Sequence, residues 1–178
     1  MGFHHVAITT RDADATHAFY TEVMGFGLVR VEAAAGAEGG WARHLFYDTG
    51  NGECLAVWEL HDNPSVPDEF DPSISRGLGL PTWTNHLAFA VDDLPALVDR
   101  RDRWRAQGFD VLQIDHGWCT SIYIDDPNGI AVECCCTTRA FTDADALEAD
   151  TRRRAAQPTL DTPAAPEVYE AATLSTAT

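Results

Sequence analysis

The sequence contains no lysine, and all twelve of its basic residues are arginines. Catalysis through a lysine Schiff base is therefore excluded. Acidic residues outnumber basic ones by 28 to 12, which gives a net charge of −16. This balance argues against binding to nucleic acid or to an anionic membrane surface, because both require a basic face.

Cysteine pairs with the spacing of a zinc or redox site are also missing. Three of the five cysteines are adjacent, at Cys134–Cys136, and no two have the C-x-x-C spacing. We therefore expect reduced thiols buried in strands. No apolar run is long enough to cross a bilayer, and the N-terminus lacks the charged-then-apolar pattern of a signal peptide. These absences predict a soluble, cytoplasmic protein.

The sequence does contain a duplicated pattern. A β-rich run begins at His5 and again at His86, and each run is followed by an aspartate that can cap a helix, Asp12 and Asp93. Each helix ends in a Gly-Phe pair, and three strand patterns follow. The period of about 80 residues is too long for a solenoid. We predict an α+β fold of two βαβββ modules that form an open, partly closed barrel around a metal site.

The composition of the chain sets the expected boundaries. We expect the first module at residues 1–62 and the second at 83–137. Residues 63–82 are rich in proline and acidic residues and are predicted to form a linker or a lid loop. Residues 138–178 are predicted to hold one helix, capped near Thr142, and then a Pro-, Ala- and Thr-rich tail that is either an arm over the surface or disordered.

Similar donor side chains stand at similar points of the two modules. His5 and His86 open the first strands, while Glu59 and Glu133 lie in the last strands. Imidazole and carboxylate donors suit Fe(II), Mn, Ni, Co or Zn, and two histidines with one carboxylate leave open positions for substrate and O₂. In the alternative interpretation each histidine is a hydrogen-bonded polar group at a strand start, and Glu133 faces water on an edge strand.

The duplicated pattern resembles the vicinal oxygen chelate superfamily, also described as the glyoxalase, bleomycin resistance and extradiol dioxygenase superfamily. The resemblance is carried by His5-Val-Ala-Ile, Phe19-Tyr20 and Gly25-Phe26, and it covers roughly residues 3 to 137. Members include glyoxalase I, methylmalonyl-CoA epimerase, extradiol dioxygenases and antibiotic-resistance proteins. The resemblance implies a protein that acts on a small molecule and forms a homodimer.

The second module is most similar in its motifs to type I extradiol dioxygenases. Those enzymes carry a His, a hydrophobic-Tyr pair, an Asp-Pro-x-Gly turn and then the Glu ligand. The corresponding residues here are His116, Ile122-Tyr123, Asp126-Pro127-Asn128-Gly129 and Glu133. By this resemblance His5, His86 and Glu133 would hold Fe(II), and His116 and Tyr123 would contact the catecholate or the oxygenated intermediate.

Two positions in the first module leave the chemistry open. Catechol enzymes usually place a base histidine near the start of this module's last strand, where the chain has Glu53 or Cys54. His44, on the neighbouring strand, is either a substitute base or a histidine at the edge of the core. Glu59 is either uninvolved or a fourth metal ligand, as in glyoxalase I, where two His and two Glu suit proton shuttling.

Aromatic residues on or near the strands together suit a pocket for a planar organic molecule, although ordinary core packing better explains any single one of them. They are Trp41, Phe46, Tyr47, Trp58, Phe89, Trp118 and Tyr123. The leading interpretation is an Fe(II) dioxygenase that acts on a catechol-like or other vicinal-oxygen substrate. The alternatives are a glyoxalase I-like or epimerase-like isomerase, which needs Glu59 and no O₂, and a metal-free protein that binds a drug or metabolite.

Overall fold

The structure is a computed structural model that describes residues 2–162 and 164–172. It contains two sheets, of four and five strands. The strands of the first sheet are β1 (His5–Thr10), β2 (Gly27–Ala35), β3 (Trp41–Gly50) and β4 (Glu53–His61). Those of the second are β5 (His86–Ala90), β6 (Val111–Asp115), β7 (Cys119–Asp125), β8 (Ala131–Thr137) and β9 (Glu167–Tyr169).

In the part of the chain that the structure describes, four α-helices accompany the sheets, and two of them occupy the predicted module positions. The helices are α1 (Ala13–Ala18), α2 (Ile74–Gly77), α3 (Leu94–Ala106) and α4 (Asp143–Arg154). Asp12 and Asp93 cap α1 and α3 as predicted, because each side chain accepts a hydrogen bond from a backbone N–H of the first turn. Within residues 2–162 and 164–172, none of the helices has the length and apolar character needed to span a membrane.

The strand order repeats between the two sheets. The first sheet runs β1-β4-β3-β2 and the second runs β5-β8-β7-β6-β9, so the first strand of each module lies beside its last strand. β1 pairs with β4 in parallel, whereas β3 pairs with β2 and β4 in antiparallel fashion. The prediction of an α+β fold built from two βαβββ modules is confirmed, and neither sheet closes on itself.

Residue contacts divide the chain into two compact units. Unit 1 consists of the described residues within Met1–Leu87 and Asp125–Val132, and unit 2 consists of those within Ala88–Ile124 and Glu133–Thr178. The core of unit 1 is formed by apolar side chains from β1, β4 and the π-helix Phe19–Val23 that follows α1, among them Ile8, Phe19 and Leu55. The core of unit 2 includes Trp104 on α3 and Ile122 on β7, both fully buried.

Three segments differ from the sequence-based expectations. The helix predicted to reach about Met24 is α-helical only to Ala18 and continues as a π-helix, Phe19–Val23. Ala33 to Ala35, small residues for which the sequence favours a loop, extend β2 because they pair with Arg43 to Trp41 of β3. In the tail, β9 pairs antiparallel with β6. The end of the predicted tail, 173–178, lies outside the described residues.

Candidate functional site

The candidate site in unit 2 is built on the β6–β7 hairpin and on β8. His116 follows β6 in a turn closed by Asp115, whose Oδ1 accepts a hydrogen bond from the Gly117 N–H at 2.7 Å. Gly117 has a φ of +79°, a conformation that favours glycine. This turn holds His116 Nε2 3.1 Å from the Tyr123 hydroxyl oxygen on β7. The structure therefore brings together two of the residues predicted to contact substrate.

Glu133 is buried on β8, the strand beside β7. Burial, with smaller contributions from the charge and hydrogen bonding of Glu133, raises the pKa of Tyr123 to about 12. Tyr123 is therefore a neutral phenol near pH 7 and can donate a hydrogen bond to an anionic oxygen. His116, Tyr123 and Glu133 form a polar line within unit 2.

The cysteines near this line form no disulfide bonds. All five are free thiols, and Cys119, Cys134 and Cys136 are buried. Burial, together with the neighbouring Cys135, raises the pKa of Cys119 to about 12. Thiols with such values are protonated at neutral pH, so they are poor nucleophiles and poor metal ligands. Burial in strands, as predicted, holds for Cys119, Cys134 and Cys136, whereas Cys54 and Cys135 are only half-buried.

In unit 1, His5 lies close to the predicted alternative base, His44. The two imidazole centroids are 6.2 Å apart. His44 is 7% exposed and stacks on Trp58 with a centroid distance of 3.7 Å. Burial and then the charge of His5 lower the pKa of His44. Its Nε2 has no hydrogen-bond partner among the residues that the structure describes. His44 is thus a neutral imidazole with the properties of a proton acceptor.

His86 lies at the start of β5, as predicted, and its side chain is exposed. Its Nδ1 is 3.1 Å from the carbonyl oxygen of Trp83. Since a carbonyl only accepts hydrogen bonds, Nδ1 carries the proton in this contact and Nε2 carries the lone pair. Metal-binding histidines commonly have this arrangement, in which one ring nitrogen donates to a carbonyl and the other faces the ion.

Glu59 lies at the opposite end of the β1–β4 pair from His5, where its carboxylate contacts two basic side chains. Its carboxylate accepts a hydrogen bond from Arg43 Nε and lies 3.1 Å from His61 Nε2. In the β1–β4 register Glu59 pairs with Thr10, whereas His5 pairs with Cys54. These pairs are separated by about 16 Å along the strands, at 3.3 Å per residue. That separation argues against one metal ion being ligated by both His5 and Glu59.

A buried polar network was not anticipated as part of the site region. Asp126, in the turn before β8, accepts hydrogen bonds from Tyr20, Asn128 and the Ile130 N–H. Asn128 Oδ1 in turn accepts a hydrogen bond from Thr10. The Asp-Pro-x-Gly pattern identified the turn, but no sequence signal indicated that its side chains form hydrogen bonds with Thr10 of β1 and Tyr20 of the π-helix. The network fixes the turn within unit 1.

The described residues do not form a complete cluster of metal-binding side chains. Over residues 2–162 and 164–172, no three His, Cys, Asp or Glu side chains lie together as a metal site. Of the predicted ligands, His5 and His86 belong to unit 1 and Glu133 belongs to unit 2. The donor types suit a divalent metal, but the assignment of these three residues depends on their chemistry and sequence positions.

Each unit also contains a pocket. The pocket in unit 1 has a volume of 500 Å³ and is lined by Thr10, Glu59, His61 and residues of the following loop. The pocket in unit 2 has a volume of 770 Å³ and includes His116 and Trp118 in its lining. Of the two, the pocket in unit 2 adjoins the polar line of His116, Tyr123 and Glu133.

Comparison with known proteins supports the family resemblance. Residues 2–134 match the model of the Glyoxalase/Bleomycin resistance protein/Dioxygenase superfamily. The chain is 30% identical over 131 residues to protein YaeR of Escherichia coli (strain K12), covering 73% of this chain and 92% of that protein. It is 26% identical over 136 residues to biphenyl-2,3-diol 1,2-dioxygenase 2 of Rhodococcus globerulus, covering 74% of this chain and 60% of that enzyme.

The fold likeness extends to solved structures. A lactoylglutathione lyase from Agrobacterium tumefaciens superposes with a TM-score of 0.52 at 22% identity, covering 76% of this chain and 92% of that one. At this identity the likeness concerns the fold. The family model spans most of the chain, including all residues from His5 to Glu133. The chain therefore belongs to the glyoxalase/bleomycin resistance protein/dioxygenase superfamily.

Proposed function

We propose that this chain is a metal-dependent dioxygenase, with Fe(II) as its metal, that acts on a catechol-like or other vicinal-oxygen small molecule. The observation that carries the proposal is the 3.1 Å contact between His116 Nε2 and the Tyr123 hydroxyl. These are the residues that the extradiol resemblance assigns to the substrate or its oxygenated intermediate. The relative from Rhodococcus globerulus, named as a dioxygenase of biphenyl-2,3-diol, supports the same substrate class.

The protein side chains contribute hydrogen bonds and proton transfer. Tyr123 is a neutral phenol held by burial and Glu133, so it can donate to an oxygen on which negative charge develops. His116 is exposed beside it and can orient that hydroxyl. His44 is the proposed base, because it is buried, neutral and close to His5.

The proposed metal ligands are His5, His86 and Glu133. Two imidazoles and one carboxylate suit Fe(II) and leave coordination positions open for a small molecule and O₂. Mn, Ni, Co and Zn are compatible with the same donors. When bound, the ion would supply Lewis-acid and redox chemistry that the side chains lack.

The isomerase alternative has less support. A glyoxalase I-like reaction needs Glu59 as a ligand, but Glu59 contacts Arg43 and His61 and pairs with Thr10, far from the His5 end of β1. To act as a ligand, the Glu59 carboxylate would have to give up its contacts with Arg43 and His61. These contacts favour a set of three ligands over four.

A metal-free binding protein is the second candidate function. It is favoured by the finding that no three potential ligands lie together over the described parts of the chain. The 770 Å³ pocket in unit 2 gives such a protein a place for a small molecule. This candidate predicts binding without metal, O₂ uptake or product formation.

Metal analysis combined with O₂ uptake distinguishes the two functions. Protein purified with Fe(II) is expected to retain iron and to consume O₂ when catechol or biphenyl-2,3-diol is added. His86→Ala should lose both properties, whereas His17→Ala, a matched substitution of a half-buried histidine on α1, should keep them. Wild-type protein that binds diols but retains no metal and consumes no O₂ would establish the binding protein instead.

A further inference from the structure

We propose that the segment after the family-matching region forms a recognition pocket with the β6–β7 hairpin, and that this pocket takes the neutral, planar aromatic part of the ligand. The choice of a diol as that ligand rests on the proposed function. The family model ends at residue 134, whereas most of the pocket lining lies beyond it. The pocket therefore combines the β6–β7 hairpin of the matched region with residues that follow that region.

The pocket lies wholly within unit 2. One wall is the hairpin turn from Asp115 to Trp118, and the other walls come from Arg139, Phe141, α4 and the segment that follows α4. Its volume of 770 Å³ is in the range of pockets that hold ligands of drug size, roughly 300–1,000 Å³. It is thus large enough for a molecule of two rings.

Two aromatic side chains give the pocket a preference for flat molecules. Trp118 and Phe141 contact each other with ring centroids 4.9 Å apart. Trp118 is nevertheless 37% exposed and Phe141 65% exposed, so much of their apolar surface faces solvent within the pocket lining. Aromatic rings favour stacked or edge-to-face contacts with a further ring, which would bury this surface.

The charges around the pocket select against anions. Arg139 makes two hydrogen bonds with Asp145, at 2.7 and 2.9 Å. Arg152 contacts both Asp161 and Glu148 at 2.7 Å. The two arginines are thus already occupied by carboxylates.

The pocket lining contains more acidic than basic side chains. The acidic residues are Asp115, Asp145, Glu148 and Asp161, and the basic residues are Arg139 and Arg152. The excess of carboxylates would repel an anionic ligand and accept a neutral one. A diol is neutral before it meets a metal, so the charge of the pocket matches the state in which such a molecule arrives.

His116 joins the pocket to the proposed chemistry. It lines the pocket and also lies 3.1 Å from the Tyr123 hydroxyl, which interacts with Glu133. A ligand whose rings lie against Trp118 and Phe141 can therefore present a hydroxyl to His116. In this arrangement the hairpin recognises the polar end and the C-terminal segment recognises the apolar end.

The test compares two tryptophan substitutions on the same helix. Ala149 lines the pocket, whereas Ala144, also exposed on α4, is outside its lining. Binding of biphenyl-2,3-diol is measured by calorimetry with the full chain, both without added metal and with Fe(II). Ala149→Trp should fill the pocket and weaken binding about tenfold or more, which corresponds to about 1.4 kcal/mol, while Ala144→Trp should change it little. The anionic 3,4-dihydroxybenzoate should bind more weakly than catechol, which has the same ring.

The possible results separate this proposal from the proposed function. If Ala149→Trp weakens diol binding but the wild-type protein neither retains iron nor consumes O₂, the pocket stands and the dioxygenase does not. If the wild-type protein consumes O₂ with the diols and Ala149→Trp binds them as the wild type does, the pocket is overturned and the dioxygenase stands. Failure of the wild-type protein to bind biphenyl-2,3-diol, or a preference for the anionic probe, also overturns the pocket proposal.

Discussion

Tyr20 and Asp126 are 106 positions apart in the sequence, and the Tyr20 hydroxyl donates a hydrogen bond of 3.0 Å to the Asp126 carboxylate. Both side chains are buried. Asp126 also accepts the backbone N–H groups of Asn128 and Ile130, at 2.8 and 2.9 Å. The tyrosine of the first helical segment therefore completes the hydrogen bonding of a turn that the sequence assigns to the second module.

Removing this hydroxyl should destabilise the protein. Tyr20→Phe keeps the ring but leaves the buried Asp126 carboxylate without one donor, at an expected cost of about 1–3 kcal/mol in the free energy of unfolding. Urea denaturation followed by circular dichroism measures the loss. Tyr47→Phe is the matched control, because the Tyr47 hydroxyl contacts the half-buried His17 ring at 3.2 Å and should contribute less. Equal losses in both variants would contradict this account.

The raised pKa values of Tyr20 and Tyr47 predict that the protein becomes less stable at alkaline pH. Burial raises the pKa of Tyr47 to about 12, and burial and Asp126 raise the pKa of Tyr20 well above its usual value. The folded protein therefore holds these protons more tightly than the unfolded chain, whose tyrosines titrate near pH 10. The stabilisation is present below about pH 10 and is lost as the pH rises towards 12. Urea midpoints measured across this range should fall, and Tyr47→Phe should make the fall shallower.

The contacts of Glu59 predict that it does not bind metal. Glu59→Gln should retain the iron content of the wild type, whereas Glu133→Gln should lose much of it, because only Glu133 belongs to the proposed ligand set. The two substitutions remove the same charge from nearly buried strand positions with 9% and 6% exposure, so they are well matched. Elemental analysis of both purified variants provides the measurement. Loss of iron from Glu59→Gln would restore the four-ligand isomerase interpretation.

Replacing Tyr123 is expected to slow the reaction without changing how much metal the protein retains. Tyr123→Phe removes a donor to developing negative charge, so kcat for diol-dependent O₂ uptake should fall about a hundredfold or more. The iron content should be unchanged. Tyr169→Phe on β9, whose hydroxyl contacts Glu167, is the control and should keep wild-type kcat. If Tyr123→Phe has full activity, the proposed role of the His116–Tyr123 contact is wrong.

The exposed edge of the first sheet is the expected place for the homodimer that the family resemblance implies. β2 is an edge strand, and its Val29 and Val31 are 59% and 48% exposed. Apolar edge strands favour association with another chain. Light scattering should show a dimer for the wild type and a monomer for Val31→Arg. Leu160→Arg changes another exposed apolar residue and should leave the dimer intact. A wild-type monomer would refute this expectation.

Local patterns predicted most of the fold because each carries its own physical cause. Asp12 and Asp93 cap helices through their side chains, and alternating apolar residues form the strands in both modules. The three residues of β9 carry no comparable signal, because their strand conformation depends on pairing with β6. The π-helical turn at Phe19–Val23 was likewise not anticipated.

The candidate site was predicted less completely because register is a property of paired strands. The sequence places Glu59 and Glu133 in corresponding strands, but Glu133 is four residues after Gly129, and the residue four after Gly52 is Ala56. The observed pairing of Ala56 with Ala7 shows that Glu59 lies further along the sheet. The stacking of His44 on Trp58 depends in the same way on the pairing of β3 with β4, which puts these two residues opposite each other.

The added strand β9 makes the edges of the two sheets unlike each other. The outer edge of β6 is covered by Val168 and its neighbours, and the ring of Tyr169 lies 4.0 Å from the Arg101 guanidinium carbon. A chain shortened to the residues that match the family would uncover the backbone donors and acceptors of β6. Such a chain would be prone to aggregation through that edge, so the C-terminal residues protect the solubility of a module to which they do not belong by homology.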